Sequence, residues 1–296
     1  MRTPSGLTRG VRLMLAAAFL FSVMSVLVKL AGARLPTMEI VLARGVVTLV
    51  LSALALWRSK TAPFGTHHGL LVLRGLFGFG GLACYFYAVT HLPLADATVI
   101  HFINPVLTAI LAFVILKERF PRVAIVGAGL ALIGVVLVAR PTALTGEVSL
   151  DPLSVGVALA GAGFAAGAYV TVRSLAGKEE PMVIVFYFPL VAVPLTLPLV
   201  WSVWVWPTPT EWLLLLGVGV ATQLAQVAMT RGLHLESAGR ATTVSQMQVA
   251  FAFGWGLLLF HETPSLFGVL GALAIVMGIL LVARSKATAD PPRAAS

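Results

Sequence analysis

The sequence predicts an all-α integral membrane protein, with ten transmembrane helices arranged as two inverted five-helix repeats. Three observations carry that expectation. Of the 296 residues, 59% are hydrophobic and 10% are charged, and mean hydropathy is +0.99. Soluble domains carry about 25% charged residues, so too few charges exist here to clothe a water-facing surface. The apolar residues fall into ten runs, each near the ~20 residues a helix needs to cross hydrocarbon. Finally, the chain matches itself at one ungapped offset of 144 positions. The same composition excludes disorder, and Cys84 has no partner for a disulfide framework.

The runs are 12–32, 37–57, 68–90, 94–116, 121–140, 153–174, 181–205, 211–232, 238–260 and 264–284. The first follows Arg2, Arg9 and Arg12, and Ala31-Gly32-Ala33 imitates a signal cleavage site. Its apolar stretch exceeds the about 7–15 residues of a signal core, and Lys29 precedes the site, so it is expected to remain as a helix. The second carries Arg44 about two turns inside and closes on Arg58-Ser59-Lys60-Thr61-Ala62-Pro63. The third carries Arg74, Gly75, Gly78, Gly80 and Gly81, and the rings of Phe77, Phe79, Tyr85, Phe86 and Tyr87. The fourth contains Pro105 and ends at Lys117-Glu118-Arg119-Phe120-Pro121, which opens the fifth. Gly177-Lys178-Glu179-Glu180-Pro181 separates the sixth from the seventh, whose Pro189, Pro194 and Pro198 predict a bend. Trp206-Pro207-Thr208-Pro209 precedes the eighth. Runs this long and this uniformly apolar are helices; barrel strands would alternate over about ten residues.

Lys and Arg set the orientation. With the N-terminus in the cytoplasm, fifteen of them fall on the cytoplasmic side and three (Lys29, Arg34, Arg140) outside, with Arg44 and Arg74 inside spans. Both termini are then cytoplasmic, and the expected location is the inner (cytoplasmic) membrane. The net charge of +9 is a topology signal, not a nucleic-acid footprint.

At the offset of 144, Trp57 lands on Trp201, Lys29 on Arg173, Ala97-Thr98 on Ala241-Thr242 and Glu118 on Glu262. Gly127 and Gly134 land on Gly271 and Gly278, and Val138-Ala139-Arg140 on Val282-Ala283-Arg284. The period is half the chain, which means duplication into residues 1–145 and 146–296. Each copy holds five spans. Five is odd, so the second copy enters the membrane from the opposite side, and inverted repeats of this kind underlie alternating access. Transport is therefore the expected activity. The alternative is a lipid-moving or scaffold membrane protein without soluble-solute flux.

Polar side chains at membrane depth avoid lipid and point to a cavity. Thr98, His101, Asn104 and Thr108 share one face of the fourth span, and Pro105 beside them frees a carbonyl near mid-membrane. Thr242, Ser245 and Gln248, with Gln246 nearby, mark the ninth span. Gln223, Gln226 and Thr230 mark the eighth, and Ser22, Ser25 and Lys29 the first. The candidate substrate-binding residues are His101, Asn104, Gln223, Gln226, Gln248, Ser245, Ser25 and Tyr85. Lys29, Arg44 and Arg74 are candidates for gating or charge roles. The two arginines either snorkel or pair, with a carboxylate such as Glu39 or with helix C-terminal carbonyls. Glu118 and Glu262 read as loop and helix-packing residues. No carboxylate stands at mid-span, which leaves His101, Glu39 and Asp96 as titratable groups for any proton coupling. Gly127, Gly134, Gly271 and Gly278, and the pair Gly163 and Gly167, predict close helix contacts.

Leu73-Arg74-Gly75-Leu76, Tyr87-Ala88, Leu92-Pro93-Leu94-Ala95-Asp96-Ala97-Thr98, Asn104-Pro105 and Leu116-Lys117-Glu118-Arg119 together resemble the EamA family of the drug/metabolite transporter superfamily. Ala43-Arg44-Gly45, Gly127 and Gly134-Val135-Val136-Leu137 fit the same pattern. In the second copy Glu262 and Gly271 fit, while Val249 stands where the first copy has Pro105, which speaks against a symmetric role for the two helices. The resemblance implies two EamA repeats around a central cavity, with the fifth and tenth helices peripheral. It also implies a small-molecule substrate, for which a polar metabolite with an aromatic or heterocyclic part is the expectation. No catalytic residue, metal site or cofactor is expected. Paired aspartates and a nucleophilic serine motif are missing, and His67-His68 stands alone near a loop.

Overall fold

The computed structural model describes residues 7–92, 94–118, 120–139, 150–259 and 266–284. Glu262 and Arg140 lie outside them. Twelve helices are found there: α1 (Arg9–Ala31), α2 (Thr37–Ser59), α3 (His68–His91), α4 (Leu94–His101), α5 (Asn104–Leu116) and α6 (Arg122–Ala139), then α7 (Pro152–Ser174), α8 (Pro181–Val200), α9 (Pro209–Leu235), α10 (Ala238–Ser245), α11 (Met247–Leu259) and α12 (Leu266–Arg284). Among the described residues there is no strand, and nine helical segments are long and apolar enough to cross a membrane. The chain is a multi-pass membrane protein.

The ends follow local chemistry. α7, α8 and α9 each begin on a proline, whose missing N–H costs nothing in the first turn. Asp151 caps α7 by accepting from Ser154 N (2.9 Å) and Ser154 Oγ (2.7 Å), which holds its carboxyl below the usual range. Thr208 and Glu211 form a capping box on α9. α2 ends on Lys60 in the left-handed conformation, its N–H donating to Leu56 O and Trp57 O.

Two expectations change. The runs 94–116 and 238–260 do not form continuous helices; each is interrupted, between α4 and α5 and between α10 and α11. The seventh run stays helical through Pro189, Pro194 and Pro198 but stops at Val200, short of residue 205.

Large apolar side chains such as Ile110, Phe113, Val126 and Leu258 face outward, while alanines and glycines fill the contacts between helices. α1 packs on α9, α3 on α7, α2 on α8 and α6 on α12. The α6–α12 pair is antiparallel: a Cβ at Gly127 would lie 2.6 Å from the Gly278 carbonyl, and one at Gly134 2.6 Å from that of Gly271. Backbones this close leave no room for a side chain. Gly167 packs against Phe77, but Gly163 has open space around it, so the expected close contact through both residues is not formed.

Candidate functional site

The interruption of the fourth span has a local cause. Pro105 has no N–H, so the His101 carbonyl loses its helical donor. Val106 N turns back to Ile103 O at 3.0 Å, a tighter 3₁₀-type bond that strands the Phe102 carbonyl as well. Two side-chain amides take up these groups. Asn104 Nδ2 donates to His101 O at 2.8 Å, and Gln246 Nε2 donates to Phe102 O at 3.2 Å.

Gln246 belongs to the other interruption, between α10 and α11, and lies 144 positions after Phe102. There Val249 N donates to Gln246 O at 2.9 Å, again three residues back. The two broken spans therefore meet at positions 144 apart in the chain, although only one contains proline. The asymmetry expected from Val249 does not extend to the backbone break.

Each amide has its oxygen left over. Asn104 Oδ1 and Gln246 Oε1 are buried and accept no hydrogen bond from a described residue. Buried polar groups are nearly always paired, so two acceptors without a donor among the described residues stand out at this crossing. Sequence reasoning named Asn104 but left Gln246 as a neighbour of its stripe. The signal that finds it is the offset itself, which pairs it with Phe102.

The other candidates lie on several helices, and only some of them touch one another. His101 is half-buried, its ring centroid 4.6 Å from that of Tyr85 on α3, and the Tyr85 hydroxyl hydrogen-bonds to Thr98. The amides of Gln226 and Gln248 are half-buried and hydrogen-bond to no described residue. Ser245 Oγ donates to Thr242 O (2.6 Å) and Ser25 Oγ to Phe21 O (3.0 Å), both within their own helices. Gln223 is engaged elsewhere: Nε2 donates to Ser52 Oγ on α2 at 2.8 Å and lies 3.7 Å from Met182 Sδ. No hydrogen bond joins Gln223 or Gln226 to His101 or Asn104 among the described residues. Ser22 is fully buried and accepts from Trp255 Nε1 at 3.0 Å, a helix-packing bond from α11 to α1.

Neither intramembrane arginine meets a carboxylate among the described residues, so the expected pairing with an acid such as Glu39 is not formed. Arg44 reaches Met24 Sδ (3.9 Å). Arg74 is buried, with its guanidinium 5.1 Å from the Phe188 ring centroid and its Nε without a hydrogen-bond partner among the described residues. Glu39 is buried and accepts from Val205 N at 3.0 Å. Lys29 is exposed near the end of α1 and takes part in an interaction there.

Charge clusters tie the helix ends. Glu118 accepts from Arg173 Nε (2.7 Å) and from Ala238 N (2.9 Å), while Arg173 Nη1 donates to His234 O (2.9 Å). This cluster joins the ends of α5, α7 and α9 to the start of α10. Glu236 pairs with Arg240 at 2.5 Å and accepts from Thr8; Arg240 donates on to Val282 O and Ala283 O. Glu179, in the α7–α8 loop, accepts from Thr66 N, Thr66 Oγ1 and His67 N (2.6–2.7 Å) and meets His67 Nδ1 at 2.9 Å. Burial works against its ionised form, but these hydrogen bonds outweigh it and hold the carboxyl at about 2.

Known proteins agree with this architecture. The pseudopaline exporter CntI of Pseudomonas aeruginosa is 36% identical over 281 residues, covering 95% of this chain and 98% of its own. Human solute carrier family 35 member G1 is 31% identical, covering 88% of this chain and 75% of its own. The S-adenosylmethionine uptake transporter of Rickettsia prowazekii is 25% identical, covering 90% and 89%. A solved crystal structure superposes with a TM-score of 0.80 over 93% of this chain and 96% of that one; at 18% identity it speaks for the fold alone. The profile of the EamA-like transporter family matches residues 8–140 and again 153–284, so this chain, a secondary transporter with a small-molecule substrate, belongs to the EamA-like transporter family.

Proposed function

We propose that the chain moves a small polar or amphipathic metabolite across the cytoplasmic membrane by alternating access between two inverted five-helix repeats, residues 1–145 and 146–296, with both termini in the cytoplasm. The observation that carries the site is the pair of buried orphan oxygens, Asn104 Oδ1 and Gln246 Oε1, at the crossing of the two broken spans. Leaving such an acceptor unpaired costs about 1–3 kcal/mol, so a cargo that brings N–H or O–H donors is favoured there. His101, Gln226, Gln248, Ser245 and Ser25 supply the remaining polar contacts, and Tyr85 offers a ring face. Gln223, held by Ser52, keeps α9 against α2 one turn from Gln226. Lys29 serves as a gating charge, and Arg44 and Arg74 keep positive charge inside the membrane for an anionic part of the cargo.

The pattern of packing supports the inverted repeat. Exchange the halves and α1–α9 becomes α7–α3, α2–α9 becomes α8–α3, and α5–α7 becomes α11–α1; all of these contacts exist. The pairs α6–α12 and α2–α8 map onto themselves. An antiparallel pair with Gly127 against Gly278 and Gly134 against Gly271 fits a two-fold axis in the membrane plane. The relative with 36% identity is named an exporter, which makes outward transport the direction to test first.

The test is flux in proteoliposomes, empty or preloaded with a metabolite extract, with and without a pH gradient, read by mass spectrometry. A compound that crosses only with protein present, and crosses far more slowly with N104L, is the expected result. If nothing crosses in either loading, or N104L moves the compound at the wild-type rate, the reading fails.

A further inference from the structure

At the end of α2 a cavity of about 690 Å³ opens between that helix and α8. Leu56, Pro63 and Phe186 make an apolar wall, and Trp57, Arg58 and Lys60 stand at its edge. Leu56 and Phe186 are buried, whereas Trp57 is 78% exposed. Arg58 and Lys60 are exposed and form no ion pair among the described residues. The backbone there is held by the α2 cap, with Thr61 N donating to Leu56 O at 3.1 Å. Trp57 and Arg58 lie in the last turn of an apolar helix and Lys60 caps it, so they sit where hydrocarbon gives way to headgroups, the usual depth of an exposed tryptophan.

A second groove gives a comparison. A second cavity, of about 430 Å³, lies against the opposite end of α2 and is lined by Leu42, Val46, Trp204, Trp212 and Leu213 among others. Leu42 is the repeat mate of Phe186, and Trp204 is the mate of Lys60. The two linings correspond at these two positions, and the second has no charged lining residue. If Arg58 and Lys60 only set topology, nothing would require them to rim an apolar groove. An apolar trough with two unpaired cations at headgroup depth matches a molecule with one anionic group and a hydrocarbon tail.

We propose that this groove seats an anionic phospholipid, its phosphate between Arg58 and Lys60 and an acyl chain along Leu56 and Phe186. Basic groups at the membrane surface attract anionic headgroups, and the apolar wall selects a lipid over free phosphate. The site is separate from the helix crossing, so it stands or falls independently of which solute is carried.

Trp57 is a built-in reporter, one of six tryptophans. The full chain is reconstituted in phosphatidylcholine vesicles that contain a fixed fraction of phosphatidylglycerol or phosphatidylcholine brominated on the acyl chains, and tryptophan emission is read. Stronger quenching by the brominated phosphatidylglycerol is expected, with the excess lost in W57F and in R58Q/K60Q and unchanged by inorganic phosphate. Equal quenching by the two lipids in the wild-type protein overturns the proposal without reference to any variant. So does an excess that survives R58Q/K60Q, or one that inorganic phosphate abolishes, which would make the groove a plain anion site.

Discussion

The two broken spans are the instructive pair. In α4–α5 the break is written in covalent chemistry: Pro105 withholds a donor, and Asn104 folds back to replace it at the His101 carbonyl. In α10–α11 no proline is present, yet Val249 N makes the same three-residue bond and the helix breaks at the corresponding place. What the second break has instead is a partner. Gln246 reaches the Phe102 carbonyl of the first, so the crossing of the two spans holds both backbones open. The first interruption has a proline as well as this contact and the second has the contact without a proline, and each exposes polar groups where lipid could not satisfy them.

The largest effect on this pair is expected at the far end of α5. Glu118 ties α5 to Arg173 on α7 and to the first N–H of α10, so it fixes both broken spans together. The Arg173 side chain is 5% exposed, and Glu118→Leu leaves its charge without a carboxylate. Removing one partner of a buried pair costs about 3–5 kcal/mol. Thermal unfolding in detergent should show a marked fall in midpoint for E118L. The exposed Arg34–Glu211 pair is the comparison, and R34Q should shift the midpoint little. Equal effects from the two variants would mean that Glu118 does not hold the crossing.

Asn104→Leu comes next. It removes the replacement donor for His101 O and the orphan oxygen at once. A stranded buried carbonyl costs about 1–3 kcal/mol, and lost transition-state contacts of about 1.4 kcal/mol lower flux tenfold. N104L should therefore fold with a reduced midpoint and carry substrate at a tenth of the wild-type rate or less. Gln248→Leu, its repeat mate, is expected to spare stability because no hydrogen bond to a described residue is lost. A Q248L midpoint as low as that of N104L would remove the distinction drawn here between the two breaks.

Much of this was legible in the sequence because lipid leaves few options. Ten apolar runs, the offset of 144 and the bias of Lys and Arg all follow from solvation and topology. Close backbone contact at Gly127, Gly134, Gly271 and Gly278 was legible because they recur at matching places, but that α6 and α12 meet through them was not. The break at Gln246 was not. It coincides with a contact to residue 102, and the local sequence around Val249 reads as a continuous helix. Nor could spacing tell that Gln223 is spent on Ser52 while Gln226 is not, because residues three apart share a face but not the same neighbours.

A smaller effect concerns pH and the link between the halves outside the membrane. Glu179 caps the start of α3 from the other half of the chain. Its carboxyl is held at about 2, below an ordinary 4.5. A depressed pKa means that the carboxylate stabilises the folded state fully above pH 4.5, and that this contribution is lost as pH falls through about 2. Unfolding midpoints measured down that range should fall for the wild type and flatten for E179Q. An E179Q profile parallel to the wild type would assign the acid sensitivity to other groups.

The smallest effect is expected from Pro105→Ala, and it is the sharpest probe of the comparison. If proline alone caused the first break, alanine would restore the N–H, close the helix onto the His101 carbonyl and displace the Asn104 amide. The second break argues otherwise, since Val249 carries an N–H and still bonds three residues back. Gln246 remains on the Phe102 carbonyl in P105A, and Val106 N remains on Ile103 O. The variant should unfold within the ordinary range for a tolerated substitution, under about 1 kcal/mol, and keep its flux. A P105A protein that loses transport while N104L keeps it would place control of the crossing in the proline alone and not in the contact between the two spans.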